Sequence, residues 1–413
     1  MLPSLKTLFS LMTTLLIFGI LFTTLISDVR PAPPPVPFPP ALKIPSPPKG
    51  CKGCSDVRPS APPVPLPPAL KIPSSDVRPA PPPVPLPPAL NIPSSDVRPA
   101  PPPVPLPPAL KIPSRGPLIE KVMARYSQTW KKQEENSTKF RDLLRSTCHG
   151  FTKAVVSQDN TPLGAQIVYG GEKRKQTVTS AFFNTFAKRN PFSNKTWDTC
   201  SVVGNGGILS NSTCGEMIDS AQFVIRCNLP PVENSFLKDV GNKTNLVTAN
   251  PSLLIQKFRG LQERRRPFME SMRRYNDSLM LLPAFSYSRD TAVSLRVLYT
   301  MEDFESPIRP VFLNPEYLLN LRSFWRSKGL KKRLSSGLMM ASLALELCTN
   351  VHLYGFWPFD QHPLLQQPLN NHYYDNVPST KVHAMPAEFD HLLRLHEQGV
   401  LKIHLGECRP SSR

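Results

Sequence analysis

The hydrophobic pattern changes character twice along the chain. Residues 8–26, LFSLMTTLLIFGILFTTLI, run without a charge; as a helix at 1.5 Å per residue they would span about 28 Å, close to a bilayer's hydrocarbon core. Four threonines weaken this pattern without breaking it. The expectation is a transmembrane signal-anchor behind a short cytosolic tail, residues 1–7. A cleaved signal peptide is the alternative, although the small-x-small cleavage pattern is poor around Leu25 and Ser27. Lys6 precedes the span and Asp28 and Arg30 follow it, so flanking charge gives little direction. Either way, the bulk of the chain is expected outside the cytosol.

Later apolar runs are short and carry turn residues between them. Ser201-Val202-Val203 predicts a buried strand, followed by Gly204-Asn205-Gly206-Gly207. A helix-length segment then leads to a second strand, Gln222 to Arg226, which ends at Cys227-Asn228. Further on, Leu334-Ser335-Ser336-Gly337 precedes LMMASLALELC. Serines ahead of an Ala-, Leu- and Met-rich run signal a capped helix start. Val351 to Phe356 predicts another buried strand, ending at Trp357. Strand, Gly-rich turn, helix and strand together predict an α/β fold, in which such turns let the backbone approach phosphate or ribose. A tight turn with no ligand has the same sequence pattern.

Between these two regions the chain repeats itself. SDVRPAPPPVPFPPALKIPS begins at Ser27 and returns at Ser55, Ser75 and Ser95, the second copy displaced by PPKGCKGC. Most of the 51 prolines lie here, before Leu118. Proline fixes φ and removes backbone donors, which excludes helices and central strands and hence a solenoid. The expectation for residues 27–115 is a disordered proline-rich stem, extended as polyproline II at about 3.1 Å per residue. Its PxxP motifs resemble SH3 or WW ligands, partners that a stem outside the cytosol would not meet. Cys51 and Cys54 form a CxxC with no βαβ scaffold nearby, so inter-chain disulfides or a local loop are the readings left. Residues 116–413 have ordinary globular composition and can form one domain.

A net charge of +19 invites a nucleic-acid reading. The charge is dispersed, and no zinc-finger, helix-turn-helix or RNA-recognition signature accompanies it. Basic runs at Arg264-Arg265-Arg266, Arg273-Arg274 and Lys331-Lys332-Arg333 suit either a solvated surface or attraction for an anionic glycan or membrane headgroups. Asn136, Asn194, Asn211, Asn242 and Asn276 each begin an N-glycosylation sequon. Sequons and dispersed cysteines behind an anchor point to the secretory pathway and to disulfides. His372-Tyr373-Tyr374-Asp375 and the later pair His383 and Glu388 fall in a region with little regular patterning. Loop histidines are usually only solvated; two beside aromatics and carboxylates are candidates for proton transfer.

These segments, in this order, closely resemble the eukaryotic sialyltransferases, in particular their α-2,8 branch. The large sialylmotif resembles Cys200 to about Val247, with CSVVGNGGIL and CGEMIDSAQFVIRCNLPPV, and the tail DVGNKTNLVTANPS carries on from it. The small motif resembles RLSSGLMMASLALELCTNVHLYGFWPF, Arg333 to Phe359, the third resembles HYYD at His372, and the very small motif resembles His383 with Glu388. The resemblance covers the chain after about Trp197 and extends toward Gly116; the proline repeats lie outside it.

The resemblance implies a single Rossmann-like domain, a GT-A-variant sialyltransferase fold, anchored in the Golgi membrane as a single-pass type II protein. It implies transfer of sialic acid from CMP-sialic acid to a sialylated glycoprotein or ganglioside acceptor. Asn205 and Asn228 are implied to hold the donor nucleotide, Ser335, Ser336 and Gly337 to form the S-[TS]-G donor segment, and Trp357 to line the same pocket. His372 is implied to face the donor phosphate and His383 to be the catalytic base. It pairs Cys200 with Cys348 and Cys214 with Cys408, and leaves Cys148 and Cys227 unassigned. No Asp-x-Asp pair occurs in the globular region, so no metal is expected. Polymer-building members carry a strongly basic stretch before the small motif; Arg322, Arg326, Lys328, Lys331, Lys332 and Arg333 are a moderate version. Polysialylation, or a non-catalytic sialoglycan-binding role, is the alternative.

Overall fold

In the computed structural model of the protein, residues 116–126, 130–378 and 382–408 are described. The expected anchor, the proline repeats, and Cys51 and Cys54 lie outside the described residues. Short apolar runs become strands: β1 (Gln166–Val168), β2 (Lys175–Thr177), β3 (Trp197–Val203), β4 (Phe223–Arg226), β5 (Leu246–Thr248), β6 (Leu279–Leu282), β7 (Arg309–Phe312), β8 (Cys348–Tyr354) and β9 (Lys402–His404). The first two form a small antiparallel pair. The other seven form one parallel sheet, ordered β7-β6-β5-β4-β3-β8-β9.

Helices of eight residues or more are α1 (Pro117–Tyr126), α2 (Glu134–Cys148), α3 (Pro251–Phe258), α4 (Arg265–Met272), α5 (Ser288–Asp303), α6 (Pro315–Ser327), α7 (Ser336–Leu347) and α8 (Met385–Glu397). Among the described residues, no helix is long and apolar enough to cross a membrane.

Both faces of the sheet are covered, which is why its central strands read as continuous apolar runs. Side chains alternate between two cores with the period of a strand. Cys200, Val202, Phe223, Ile225, Leu246, Leu279 and Leu281 join residues of α2, α6, α7 and α8 in one core. Val203, Val224, Val247, Met280 and Leu282 join residues of α3, α4 and α5 in the other.

Chain order and sheet order part company between β3 and β8. From β3 the chain winds outward through β4 to β7, then crosses back to lay β8 against the other side of β3. In open parallel sheets the crevice at such a reversal, beyond the carboxyl ends of the strands, is where ligands bind. Cys200–Cys348 ties these two strands together and Cys214–Cys408 ties the segment after β3 to the chain beyond β9, the pairings that the resemblance implied. Cys148 and Cys227 are free and buried.

Two local expectations need correction. The segment between β3 and β4 is not one helix: it is a 3₁₀ turn, Gly207–Leu209, then a five-residue helix, Gly215–Asp219. Asn211 and Thr213 between them adopt positive φ, and the bridge at Cys214 holds that bend. The region holding His383 is also more regular than its sequence suggested. Helix α8 begins two residues later, with proline in its first turn, where the missing N–H costs nothing.

Candidate functional site

The turns after β3 and β8 pack main chain against main chain. Gly204 donates to the Tyr354 oxygen at 2.7 Å and Gly206 to the Gly355 oxygen at 3.0 Å. A Cβ on Gly204 or Gly206 would sit 2.8 or 2.6 Å from that Gly355 oxygen, too close for any side chain. The glycines are thus required by this approach of two backbones, and the turn they form floors a cavity of about 360 Å³ at the strand reversal. All eight residues singled out as catalytic or donor-binding line that cavity.

Asn205 is held by its Nδ2, which donates to the Cys227 oxygen at 2.9 Å. Its Oδ1 is buried with no partner. A buried carbonyl oxygen left unpaired costs about 1–3 kcal/mol, and a ligand N–H or O–H would recover it. Asn228 sits just beyond β4 at φ 62°, a conformation asparagine tolerates, and its N–H donates to Thr248 Oγ1 at 3.0 Å. Cys227, between these two, is buried, and burial pushes its thiol up to about 12, which leaves it inert.

Ser335 caps α7, its Oγ accepting from Leu338 N–H at 3.1 Å. The same hydroxyl donates to Glu388 Oε2, and the Ser335 N–H donates to Glu388 Oε1 at 2.9 Å. Its hydroxyl is therefore committed to the helix, and Ser336 and Gly337, the first residues of α7, present first-turn N–H groups and one hydroxyl to the cavity. Burial raises the Glu388 carboxyl above the usual range, opposed by those two bonds. Trp357 Nε1 donates to the Gln361 oxygen at 2.8 Å, and its ring meets Phe359 and Phe389 edge-on.

His372 is placed by main-chain pairing with the Gly-rich turn. It bridges Gly206, and the next residue, Tyr373, donates its N–H to the Asn205 oxygen at 2.9 Å. Its Nδ1 lies 2.7 Å from Asp375 Oδ1. His383 is half-buried at the rim of the cavity, its Nδ1 2.9 Å from the Arg333 main-chain oxygen. A carbonyl can only accept, so Nδ1 carries the hydrogen and Nε2 keeps the lone pair.

Two contributors were not singled out from sequence. Asn250 lines the cavity beyond β5, and its Oδ1 is 3.5 Å from Ser336 Oγ. Its signal was local: an asparagine directly before a proline that starts α3. Glu388 accompanies His383 in the sequence motif, but no local signal ties it to Ser335, 53 residues away. Among the described residues, no three His, Cys, Asp or Glu side chains group as metal ligands.

The sequence profile of glycosyltransferase family 29 (sialyltransferase) matches residues 155–400, well over half of the chain. The chain belongs to this family. The sialyltransferase is 45% identical over 282 residues to mouse alpha-2,8-sialyltransferase 8F, covering 68% of this chain and 71% of that one. Human alpha-2,8-sialyltransferase 8E is 42% identical, covering 68% and 75%. The alpha-N-acetylneuraminide alpha-2,8-sialyltransferase of Xenopus tropicalis is 43% identical over 295 residues, covering 71% and 85%. Among solved structures, a mammalian sialyltransferase aligns at 19% identity over 71% of this chain and 87% of that one, with a TM-score of 0.37. Every sequon asparagine of this sialyltransferase, Asn136, Asn194, Asn211, Asn242 and Asn276, is exposed, and Asn136 Nδ2 donates to the Gln398 oxygen at 3.0 Å.

Proposed function

We propose that the protein is an α-2,8-sialyltransferase, moving sialic acid from CMP-sialic acid onto a glycan that already ends in sialic acid. The observation that carries the reading is His383 at the cavity rim, fixed through Nδ1 by the Arg333 oxygen so that Nε2 can take a proton. The relatives named above, with their α-2,8 titles, support the linkage.

The acceptor hydroxyl attacks the anomeric carbon of the donor as the bond to the CMP phosphate oxygen breaks, with inversion. His383 Nε2 takes the hydroxyl proton, because a sugar alcohol is a poor nucleophile near neutral pH. The departing phosphate gathers negative charge, which His372 and the N-terminus of α7 stabilise. Asn205 and Asn228 hold the cytidine monophosphate, with Asn250 and the ring of Trp357 completing the pocket. Charge on the leaving group is thus met by protein groups, and the transfer requires no metal; full activity in EDTA is expected, and loss restored by manganese would refute that part.

The anchor at residues 8–26 holds the catalytic domain, residues 116–413, in the Golgi lumen on the stem of residues 27–115. Cys51 and Cys54 are available to link two stems as a disulfide-bonded homodimer. Of the basic run before α7, Arg322 is spent on the Gly170 oxygen and Lys328 on the rings of Phe140 and Phe324. That commitment favours transfer of one or a few sialic acids over polysialylation.

The deciding experiment incubates the protein with CMP-sialic acid and a panel of sialyl-lactosylceramide and sialylated O-glycan acceptors, with linkage analysis. CMP release with an α-2,8 product is expected. Acceptor binding without CMP release would instead assign a non-catalytic sialoglycan-binding role.

A further inference from the structure

The loop that holds the base also carries an exposed cation. Arg333 supplies its main-chain oxygen to His383, while its guanidinium lies over the ring of Tyr287, 5.6 Å from the centroid. Arg289 lies over the same ring at 5.3 Å. Arg333 is exposed and, among the described residues, has no carboxylate within ion-pairing distance; Arg289 reaches only the edge of Asp290, at 3.8 Å.

Tyr287 itself is firmly placed. It follows β6 and immediately precedes α5, on the same carboxyl edge of the sheet as the cavity. Gly170 and Gly171 donate to the Phe285 and Ser286 oxygens at 3.0 and 2.8 Å, and a Cβ on Gly171 would collide with the Tyr287 ring. Glu172 Oε1 accepts from Ser288 N–H at 2.8 Å, which pins the start of α5. The result is an aromatic platform under two guanidiniums, one of them on the residue whose main-chain oxygen holds His383. The buried Asp290 carboxylate interacts with both guanidiniums, and Glu172 is engaged with the backbone.

We propose that Arg333, steadied on Tyr287 with Arg289, binds the carboxylate of the acceptor's terminal sialic acid and so selects sialylated over neutral acceptors. The inference rests on the function proposed above and deepens it. In an α-2,8 transfer the attacking hydroxyl and a carboxylate belong to one monosaccharide, and the flexible glycerol arm that bears the hydroxyl folds back toward that carboxylate. Placing the hydroxyl at His383 Nε2 brings that anion toward the guanidinium of Arg333, the residue whose main-chain oxygen holds the His383 ring. A neutral galactose terminus brings no such charge. Arginine suits this task because its planar fork meets a carboxylate with two parallel bonds and stacks on an aromatic face.

The test compares a sialylated acceptor with its carboxylate methyl ester, using wild type, Arg333→Gln, Arg289→Gln and Gly171→Ala in the full chain. Wild type should prefer the free acid by about ten- to a hundredfold in kcat/KM, the range of a charge-assisted pair. Arg333→Gln should lose most of that preference through the acceptor KM, treating acid and ester alike within about threefold, and Arg333→Lys should restore part of it. Gly171→Ala, which displaces Tyr287 without touching a charge, should move in the same direction. If Arg333→Gln keeps the wild-type preference for the acid, the inference is overturned while the α-2,8 reading stands. If wild type transfers to neither acceptor, that reading falls and takes this one with it.

Discussion

Glu388 takes both polar hydrogens of Ser335, the main-chain N–H on Oε1 at 2.9 Å and the hydroxyl on Oε2. Two segments 53 residues apart are joined in this way, the start of α7 and the first turn of α8. Because Ser335 also caps α7 through Leu338, the carboxylate sets the angle at which the helix N-terminus meets the cavity. Glu388 is therefore proposed as a positioning residue, acting through Ser335 and the start of α7.

Replacing it tests that role. In Glu388→Gln one hydrogen-bonding edge becomes a donor facing a donor, which leaves a buried N–H or hydroxyl unpaired at a cost of about 1–3 kcal/mol. The donor KM should rise about tenfold or more, with Glu388→Asp recovering part of the loss. A fall in kcat alone, with donor KM unmoved, would assign Glu388 to proton transfer instead.

Removing the proposed base has a different signature. His383→Ala should lower kcat by about 10²- to 10⁴-fold, the usual contribution of a positioned general base. CMP should still bind, since Asn205 and Asn228, proposed to hold the nucleotide, follow β3 and β4 and not the segment that carries His383. Unchanged turnover with a sialylated acceptor would remove His383 from the chemistry.

Asn205→Ala deletes both the bond to the Cys227 oxygen and the buried, unpaired Oδ1. CMP affinity measured by calorimetry should weaken about tenfold, corresponding to one lost hydrogen bond of about 1.4 kcal/mol. Equal affinity in the variant would mean the nucleotide lies elsewhere.

A buried carboxyl far from the cavity predicts the pH dependence of stability. Glu346, at the other end of α7, is fully buried, and burial raises it from 4.5 to about 7 against the pull of the Gly150 N–H, which donates to it at 2.6 Å. A folded-state value above the unfolded one means that the native chain holds the proton more tightly. The stabilisation is thus complete below about pH 4.5 and is lost as pH rises through about 7. The gap corresponds to about 3 kcal/mol. Thermal melts should fall in midpoint between pH 5 and pH 8, and Glu346→Gln should flatten that slope. Parallel slopes in both proteins would locate the titration elsewhere.

Much of this organisation was legible in the chain itself. Uninterrupted apolar runs marked strands buried on both faces, and serines before an Ala- and Leu-rich stretch marked the start of α7. Motif order pointed to the family and to both disulfide pairings. These features are local, or are carried by fixed spacing, so a linear string records them. What the string could not record is which turns meet. The parallel register sets Val203 beside Arg226 on one side and Tyr354 on the other, so Asn205, Asn228 and the turn at Gly355 emerge on one edge. His372 reaches that edge only by bridging Gly206, and Glu388 reaches Ser335 only through the packing of α8. Such contacts depend on the sum of many buried faces fitting at once, and that sum exists only in three dimensions.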